Sequence, residues 1–456
     1  MRRRSPRKSW VWLAGCLIGG LGAWSALPAQ SVAALGYEFA PIQESPADAE
    51  PGKPIPAARG PVFASAPTLL RQGYGGEVEP NGTPATATLL AGRQGVVRAD
   101  VFPVADADLF AIQAAAGDRL YAAVMTSGAA GSATDSQLRV IGPDGTTVIE
   151  FDEDDGSLAG LSSTVAGATL PAAGTYYLQV NAFSATASIR PSELHYRLQS
   201  GAPVAEVEPN DTPATANALP ASGWVSGARA PASAAEQDWY SLSLNAGDSV
   251  FLSLDLDPER DNVQWDGRVG LGLFGDAGNQ ILVVSDGSTG SAANPLSEGF
   301  FVTVKEAGTY FAFVDSPNAG VGGPTSTYHL SVSVHRAADE GVNCTTYTSS
   351  NVPQTIGPGA GLVSSTITVP GNPRIADVDV SLQLNHALMG DLDVSLRSPA
   401  GNEVGLFTDI GAAATGGQAQ MDNVFDDEAA SPPIFTVLRG ISLKPEVAYR
   451  LSWFDG

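Results

Sequence analysis

Two pairs of glutamates, each separated by one residue, are the side chains of this sequence best suited to hold a metal ion. Glu206 and Glu208 precede a Pro-Asn-Asp turn, and Glu77 and Glu79 precede a Pro-Asn-Gly turn. In an extended strand, residues i and i+2 point to the same face, so each pair places two carboxylates side by side. Two negative charges at such a short distance repel each other unless a cation or solvent lies between them. On the residues alone, a solvated acidic linker is the simpler interpretation and a calcium site is the alternative.

Further oxygen ligands lie near both pairs, and calcium takes roughly six to eight oxygens. The first segment has Gly82 where the second has Asp211, so we expect the first site to be the weaker one. The predicted calcium ligands are Glu206, Glu208, Asn210, Asp211, Glu236 and Asp238 in the second segment, and Glu77, Glu79, Asn81, Asp106 and Asp108 in the first.

Catalytic motifs are not recognisable in the sequence. None of the histidines, at positions 195, 329, 335 and 386, belongs to a His-Glu-x-x-His sequence, which excludes a zincin at the level of motifs. There is neither a Gly-x-Ser-x-Gly sequence nor a subtilisin-like Gly-Thr-Ser-x-Ala-x-Pro sequence to supply an activated serine. We therefore predict no catalytic residues in this chain. His195 and His329, which lie next to tyrosines, are predicted to be surface or edge residues.

Charge and composition narrow the class of protein. The 456 residues include 24 Lys and Arg against 48 Asp and Glu, for a net charge of −24. Such a surface repels phosphate backbones, so we predict no nucleic-acid partner. The 51 glycines and 32 prolines favour many short strands and turns over long helices.

The N-terminus has the form of a secretory signal peptide. Residues 1–9 are basic and polar, residues 10–26 are apolar, and small residues suited to cleavage follow, which predicts a signal peptide over residues 1–29 and a secreted protein. An uncleaved anchor is one alternative. Lipidation at Cys16, within a lipobox-like Leu-Ala-Gly-Cys, is another. Residues 30–73 are rich in Ala, Pro and Ser and are predicted to form a flexible linker. No later stretch is apolar enough to cross a membrane.

An internal repeat organises the middle of the chain. The segment that begins at Glu77 (EVEPNGTPATA) returns about 130 residues later at Glu206 (EVEPNDTPATA). A repeat of this length is the size of a domain, which indicates a duplicated domain over residues 74–200 and 204–336. The other landmarks pair Phe110 with Tyr240, Asp118 with Asp248, Tyr177 with Phe311, and Tyr196 with Tyr328.

Each copy has the pattern of a β-sandwich. Residues 119–125 and 249–256 alternate, as do residues 175–180 and 309–314. Two strands flanking the Gly-Pro-Asp-Gly turn at 142–145 predict a hairpin. Several short strands separated by turns are typical of sandwiches.

These landmarks resemble the bacterial pre-peptidase C-terminal domain. That family opens with Glu-x-Glu-Pro-Asn-Asp and continues with Asp-x-Asp before an aromatic residue, then Ala-Gly-Asp, then Gly-Thr-Tyr. The resemblance covers about residues 77–200 and 206–335. It implies association with secreted peptidases, or binding of matrix or polysaccharide as in some members. It also favours calcium over a solvated linker at the two acidic segments.

A third module, residues 342–456, follows a change in composition. Residues 364–369 (SSTITV) are a strand candidate and residues 375–384 alternate strictly. His386, Gly-Asp-Leu at 390–392, Ser-Pro-Ala-Gly at 398–401 and Phe-Asp-Asp-Glu-Ala at 425–429 resemble the proprotein convertase P domain, also called the Homo B domain. The resemblance implies a β-sandwich beside a subtilisin-like serine endopeptidase. It also implies calcium-associated or structural capping roles for Asp391, Asp426 and Asp427.

The third module departs from that family in two ways. Cys344 lacks the second cysteine that many bacterial members carry, and the family pattern continues beyond Gly456, so we expect the module to be C-terminally incomplete. The fold prediction is all-β: three jelly-roll-like β-sandwich modules in tandem after a signal peptide and flexible linker. The predicted function is a non-catalytic, calcium-binding accessory region of a secreted subtilisin-like peptidase. The alternative is a standalone extracellular adhesion protein that recognises a cell-wall or matrix polymer.

Overall fold

A computed structural model describes most of the chain after residue 73. The described residues are 74–126, 135–154, 162–230, 236–273, 280–284, 295–316, 322–337, 345–357, 359–371, 377–387, 389–399, 401, 403–408, 420–432 and 440–446. The predicted signal peptide, the linker, Cys16 and Cys344 lie outside these ranges. A search of the described ranges finds no helix with the length and apolar character needed to span a membrane.

The first module is a sandwich of two five-stranded sheets, in the orders β1-β3-β10-β5-β8 and β2-β4-β9-β6-β7. The predicted hairpin around residues 142–145 is present as the antiparallel pair β6–β7. The strands are β1 (Tyr74–Gly76), β2 (Thr88–Leu89), β3 (Gln94–Val101), β4 (Ala107–Ala114), β5 (Asp118–Met125), β6 (Ser136–Ile141), β7 (Val148–Asp152), β8 (Thr164–Leu170), β9 (Gly174–Ala182) and β10 (Ile189–Gln199).

The second module repeats this topology strand for strand. Its sheets have the orders β11-β13-β20-β15-β18 and β12-β14-β19-β16-β17, which are those of the first module advanced by ten strands. The strands are β11 (Val204–Ala205), β12 (Asn217–Ala218), β13 (Trp224–Ala228), β14 (Asp238–Leu244), β15 (Ser249–Asp255), β16 (Arg268–Leu273), β17 (Gln280–Val284), β18 (Ser297–Val304), β19 (Gly308–Asp315) and β20 (Thr327–His335).

Alternating side chains fill the core of each sandwich. In β9, Tyr176, Leu178 and Val180 are buried while the residues between them are partly exposed, as expected for a strand with one face on the core. Each module has its own continuous apolar cluster, one around Phe110 and one around Phe300. The predicted all-β fold class is confirmed. Within the described ranges the only helical element is a single 3-10 turn, Met389–Asp391.

The third module shares a sheet with the second. Strand β25 pairs with β18 through Thr303 and Ser442, and the sheet continues through β24 to β21. Residues 364–369, which were predicted as a strand, form none and are exposed, because no neighbouring strand pairs with them in the described part of the chain. The strands are β21 (Val380–Asn385), β22 (Asp393–Arg397), β23 (Glu403–Thr408), β24 (Gln420–Phe425) and β25 (Ile441–Leu443).

The first two modules pack against each other through sheet faces. An apolar cluster crosses the interface and includes Tyr121 of the first module and Trp224, Phe251 and Phe301 of the second. The indole nitrogen of Trp224 donates a hydrogen bond to the Tyr121 hydroxyl at 2.8 Å.

A buried group of charges lies where the third module meets the first. Lys444 Nζ is 2.8 Å from Glu193 Oε1, and Arg98 Nε is 3.2 Å from the same oxygen. The ring of His195 is fully buried rather than at a surface or edge, and it lies 3.6 Å from Glu193. The prediction for His195 was therefore wrong, because β10 faces a neighbouring module instead of solvent.

Candidate metal centres

Backbone pairing brings the first acidic segment beside strand β4. Glu77 continues the β1 pairing, since its backbone nitrogen donates to the Arg98 carbonyl at 3.0 Å. Its carboxylate accepts from the Asp100 backbone nitrogen at 2.7 Å. Four residues later, the Asn81 carbonyl accepts from the Leu109 backbone nitrogen at 3.2 Å, which fixes the turn against the start of β4. The segment is thus anchored at both ends by backbone hydrogen bonds.

The anchored turn gathers three carboxylates. Glu77, Glu79 and Asp108 each place one oxygen within 4.8 Å of the others. The Asn81 backbone nitrogen donates to Glu79 Oε2 at 2.8 Å, and its side-chain nitrogen donates to Glu77 Oε2 at 3.3 Å. Asn81 and Asp108 are both completely buried.

The first cluster holds buried oxygens without donors. Neither carboxylate oxygen of Asp108 accepts a hydrogen bond, and neither does the side-chain oxygen of Asn81. Burial, together with the neighbouring Glu77 carboxylate, raises the pKa of Asp108 to about 8. Burial likewise raises the pKa of Glu77 to about 7. Buried carboxylates without partners are costly, and a cation at their centre removes that cost.

The second cluster has the same framework. Glu206, Glu208 and Asp238 each place one oxygen within 4.8 Å of the others. The Asn210 carbonyl accepts from the Trp239 backbone nitrogen at 3.1 Å, and Glu206 accepts from the Ala228 backbone nitrogen at 2.7 Å. These two hydrogen bonds are the counterparts of the anchors in the first module.

The second cluster differs from the first in its hydrogen-bond donors. The Tyr240 and Tyr328 hydroxyls lie 3.1 and 2.8 Å from Glu206 Oε2 and 2.6 Å from each other. When the Asn210 amide is turned so that its nitrogen faces the carboxylates, it donates to Glu208 at 3.1 Å and to Asp238 at 3.2 Å. Burial raises the pKa of Glu206, and burial with the charge of Glu206 raises that of Asp238 well above its usual value.

Three of the carboxylates predicted as ligands in the first two modules, Asp106, Asp211 and Glu236, lie outside the three-carboxylate groups. Asp106 accepts from the neighbouring Ala107 backbone nitrogen at 2.9 Å. Asp211 is half-buried beyond the turn. Glu236 is buried, with its carboxylate 3.9 Å from Arg229, and burial raises its pKa to about 7.

The acidic residues of the third module are placed differently. Asp391 is exposed, whereas Asp426 and Asp427 are buried. The Asp427 backbone carbonyl accepts from Arg98 at 3.0 Å and from Lys444 at 3.2 Å. Within the described residues, none of the three aspartates joins a group of three closely spaced metal ligands. The turn that contains Asp426 and Asp427 contacts Arg98 of the first module.

Sequence reasoning did not identify the two tyrosines as part of the second cluster. Tyr240 and Tyr328 were noted only as landmarks of the repeat, and Tyr328 was aligned with Tyr196. The strand register shows otherwise, because Leu330 lies opposite Leu254 as Leu194 lies opposite Val124. The counterpart of Tyr328 in the first module is therefore Ser192.

Comparisons with known families agree with two parts of this architecture. A model of the bacterial pre-peptidase C-terminal domain matches residues 106–182. A model of the proprotein convertase P-domain matches residues 375–430. The chain therefore carries one domain of each kind, a combination that fits a peptidase-associated accessory region. No curated protein matches the chain.

Solved structures give only distant likenesses. PliG of Aeromonas hydrophila, a periplasmic inhibitor of g-type lysozyme, is 17% identical, with 25% of this chain and 96% of that chain covered and a TM-score of 0.19. The CUB1-EGF-CUB2 domain of human MASP-1/3 is 12% identical, with 53% and 100% covered and a TM-score of 0.17. The CBM22 tandem of Paenibacillus barcinonensis Xyn10C is 12% identical, with 50% and 82% covered and a TM-score of 0.16. Likenesses at this level support no statement about function.

Proposed function

We propose that this chain is a non-catalytic accessory region of a secreted, subtilisin-like serine peptidase and that its first two modules bind calcium. The observation that supports the peptidase association is the presence of both a pre-peptidase C-terminal domain and a P-domain in one chain. The strand-for-strand topology of the second module supports its assignment as a second domain of the first kind.

The calcium proposal is supported by the chemistry of the donor set. In both clusters the available groups are carboxylates and an asparagine amide, and hard cations such as calcium prefer oxygen ligands of this kind. In the first module, Glu77, Glu79, Asn81 and Asp108 would hold the ion. In the second module, Glu206, Glu208 and Asp238 would hold it. Bound calcium would neutralise the clustered charge and tie the acidic turn to strand β4 or β14.

Replacing Asp108 with asparagine should separate calcium binding from folding. Asparagine has the same shape without the buried charge. The free energy of unfolding of the calcium-free variant should therefore be about 1–3 kcal/mol higher than that of calcium-free wild type. Calcium at one hundred times its Kd should stabilise an intact site by about 2.7 kcal/mol, and this first-site contribution should be lost in the variant. Thermal unfolding with EDTA and with calcium measures both effects.

Asp106→Asn is the matched control for this experiment. It removes the same charge two residues away, from a side chain outside the carboxylate group, and should keep the full calcium response. Equal calcium stabilisation in wild type and Asp108→Asn would show that the first cluster is not a calcium site.

The peptidase association predicts a specific pattern of labelling. The purified chain should not react with a fluorophosphonate probe, because no activated serine is recognisable in its sequence. Immobilised chain should retain a fluorophosphonate-reactive protein from the culture medium of the source organism. Labelling of the chain itself would contradict the non-catalytic assignment. Saturable binding to cell-wall or matrix polymer without any retained serine hydrolase would instead favour the adhesion function.

A further inference from the structure

We infer that the two carboxylate clusters are unequal, with the first as the high-affinity cation site and the second held partly satisfied by the hydroxyls of Tyr240 and Tyr328. This inference rests on the proposed calcium function and reverses the order of affinity expected from the sequence. It assigns the two tyrosines as determinants of affinity.

The first cluster cannot satisfy its buried oxygens with its own donors. The side-chain nitrogen of Asn81 already donates to Glu77 at 3.3 Å. Both oxygens of the completely buried Asp108, and the side-chain oxygen of Asn81, have no donor. Three buried acceptors therefore remain for a cation.

The second cluster engages its central carboxylate before any cation arrives. Glu206 Oε1 accepts from the Ala228 backbone nitrogen, and Oε2 lies within hydrogen-bond distance of both tyrosine hydroxyls. A carboxylate oxygen has about two acceptor directions, so the tyrosines can occupy both directions on Oε2. A cation must displace at least one hydroxyl to use this oxygen.

The Asn210 amide of the second cluster can also donate hydrogen bonds to the carboxylates. Turned with its nitrogen inward, the Asn210 amide donates to Glu208 and Asp238 at 3.1 and 3.2 Å. A cation would require the amide oxygen to face inward instead. The Asn81 amide likewise donates to Glu77 in the first cluster, so the hydrogen bonds that a cation must displace at the second cluster alone are those of the two tyrosine hydroxyls on Glu206.

Substitutions at two positions explain why only the second cluster has these hydroxyls. Phe110 takes the place of Tyr240, and Ser192, whose hydroxyl donates to the Ala99 carbonyl, takes the place of Tyr328. Tyr328 lies opposite Gly227, where a methyl group would overlap both its ring and Glu206. In the first module, Ala99 stands opposite Ser192. The second module therefore has Gly227 opposite Tyr328 where the first module has Ala99 opposite Ser192.

Calorimetric titration of the full chain with calcium tests the order of affinity. Asp238→Asn leaves only the first cluster intact and Asp108→Asn only the second. The first cluster should bind at least about tenfold more tightly, the scale on which groups that hydrogen-bond metal ligands alter affinity. Glu208→Gln and Glu79→Gln, at exposed positions, repeat the comparison without changing a buried side chain.

Tyr240→Phe in the Asp108→Asn background tests the mechanism. Loss of the hydroxyl frees an acceptor direction on Glu206, so the Kd of the second cluster should fall several-fold. Tyr196→Phe is the control, because that hydroxyl donates to the Ala91 carbonyl and should leave both affinities unchanged.

The outcomes distinguish this inference from the calcium proposal itself. No binding heat in wild type or in any variant would overturn the calcium proposal. Equal affinities, or a tighter second cluster, would overturn the inference while leaving that proposal intact. A weaker second cluster after Tyr240→Phe would show that the tyrosines support Glu206 as a ligand, which would also overturn the inference.

Discussion

The substitution Gly167→Ala should destabilise the interface between the first two modules. Gly167 has a φ of +75°, and a Cβ built there would lie 2.8 Å from Asp255 Cγ of the second module and closer still to Oδ2. Asp255 is completely buried and forms an ion pair with Arg260 at 2.7 Å. Arg260 also pairs with Glu150 of the first module at 2.8 Å. The methyl group would displace the carboxylate from this network.

The expected cost of Gly167→Ala is large because the displaced groups are buried charges. Breaking a buried ion pair costs about 3–5 kcal/mol, since it leaves an uncompensated charge out of water. The positive φ adds about 1–2 kcal/mol for any residue with a Cβ. Urea unfolding followed by tryptophan fluorescence should show this loss, and Trp224 at the interface should report it.

Gly117→Ala is the matched control. Gly117 has a φ of +84°, so the backbone cost is the same, but a Cβ there would meet nothing within 4 Å. This variant should lose only about 1–2 kcal/mol. If both variants lose the same amount, Asp255 accommodates the methyl group by moving, and the predicted disruption of the buried ion pair is wrong.

Local pattern predicted most of the strands and included all six carboxylates of the two clusters, but it also predicted a strand at 364–369 that is not formed and three ligands, Asp106, Asp211 and Glu236, that lie outside the clusters. Alternation along β9 and β19 predicted half-buried strands, because successive side chains of a strand point to opposite faces. The spacing of Glu206 and Glu208 placed two carboxylates together, and the repeated Asp108 and Asp238 completed each group. These features depend on residues close in sequence or repeated between modules.

Contacts between modules could not be predicted in the same way. His195 stacks on Phe301 with ring centroids 4.0 Å apart, although the two residues belong to different modules. The sequence around His195 carries no signal for that neighbour. The alignment of Tyr196 with Tyr328 rests on two identical residues in the segments Tyr-Arg-Leu and Tyr-His-Leu, and the strand register, which depends on pairing partners distant in the chain, contradicts it.

Glu193 should make the junction between the first and third modules sensitive to acid. Its carboxylate is buried within 3.2 Å of both Lys444 and Arg98, and His195 lies 3.6 Å away. Burial alone would raise the pKa of Glu193, but Lys444, His195 and Arg98 together lower it from its ordinary 4.5 to about 2. A lowered pKa means that the folded state favours the charged form.

The direction of the pH dependence follows from this shift. The contribution of Glu193 to the free energy of unfolding is fully present above its ordinary pKa of about 4.5 and is lost as the pH falls towards 2. At about 1.4 kcal/mol per pKa unit, the contribution is about 3 kcal/mol near neutral pH. The comparison must be made between variants, because other carboxylates in the chain titrate over the same range.

Glu193→Gln should therefore lose about 3 kcal/mol at pH 7 and almost nothing near pH 2. Glu306→Gln, at an exposed position, is the control and should change stability by less than about 0.5 kcal/mol at either pH. Adding Lys444→Met to Glu193→Gln should recover most of the loss, since it removes the buried lysine that the first change leaves without its carboxylate. Denaturant unfolding at both pH values measures these differences. A loss for Glu193→Gln that is the same at pH 7 and pH 2 would mean that shape, rather than charge, holds the third module against the first.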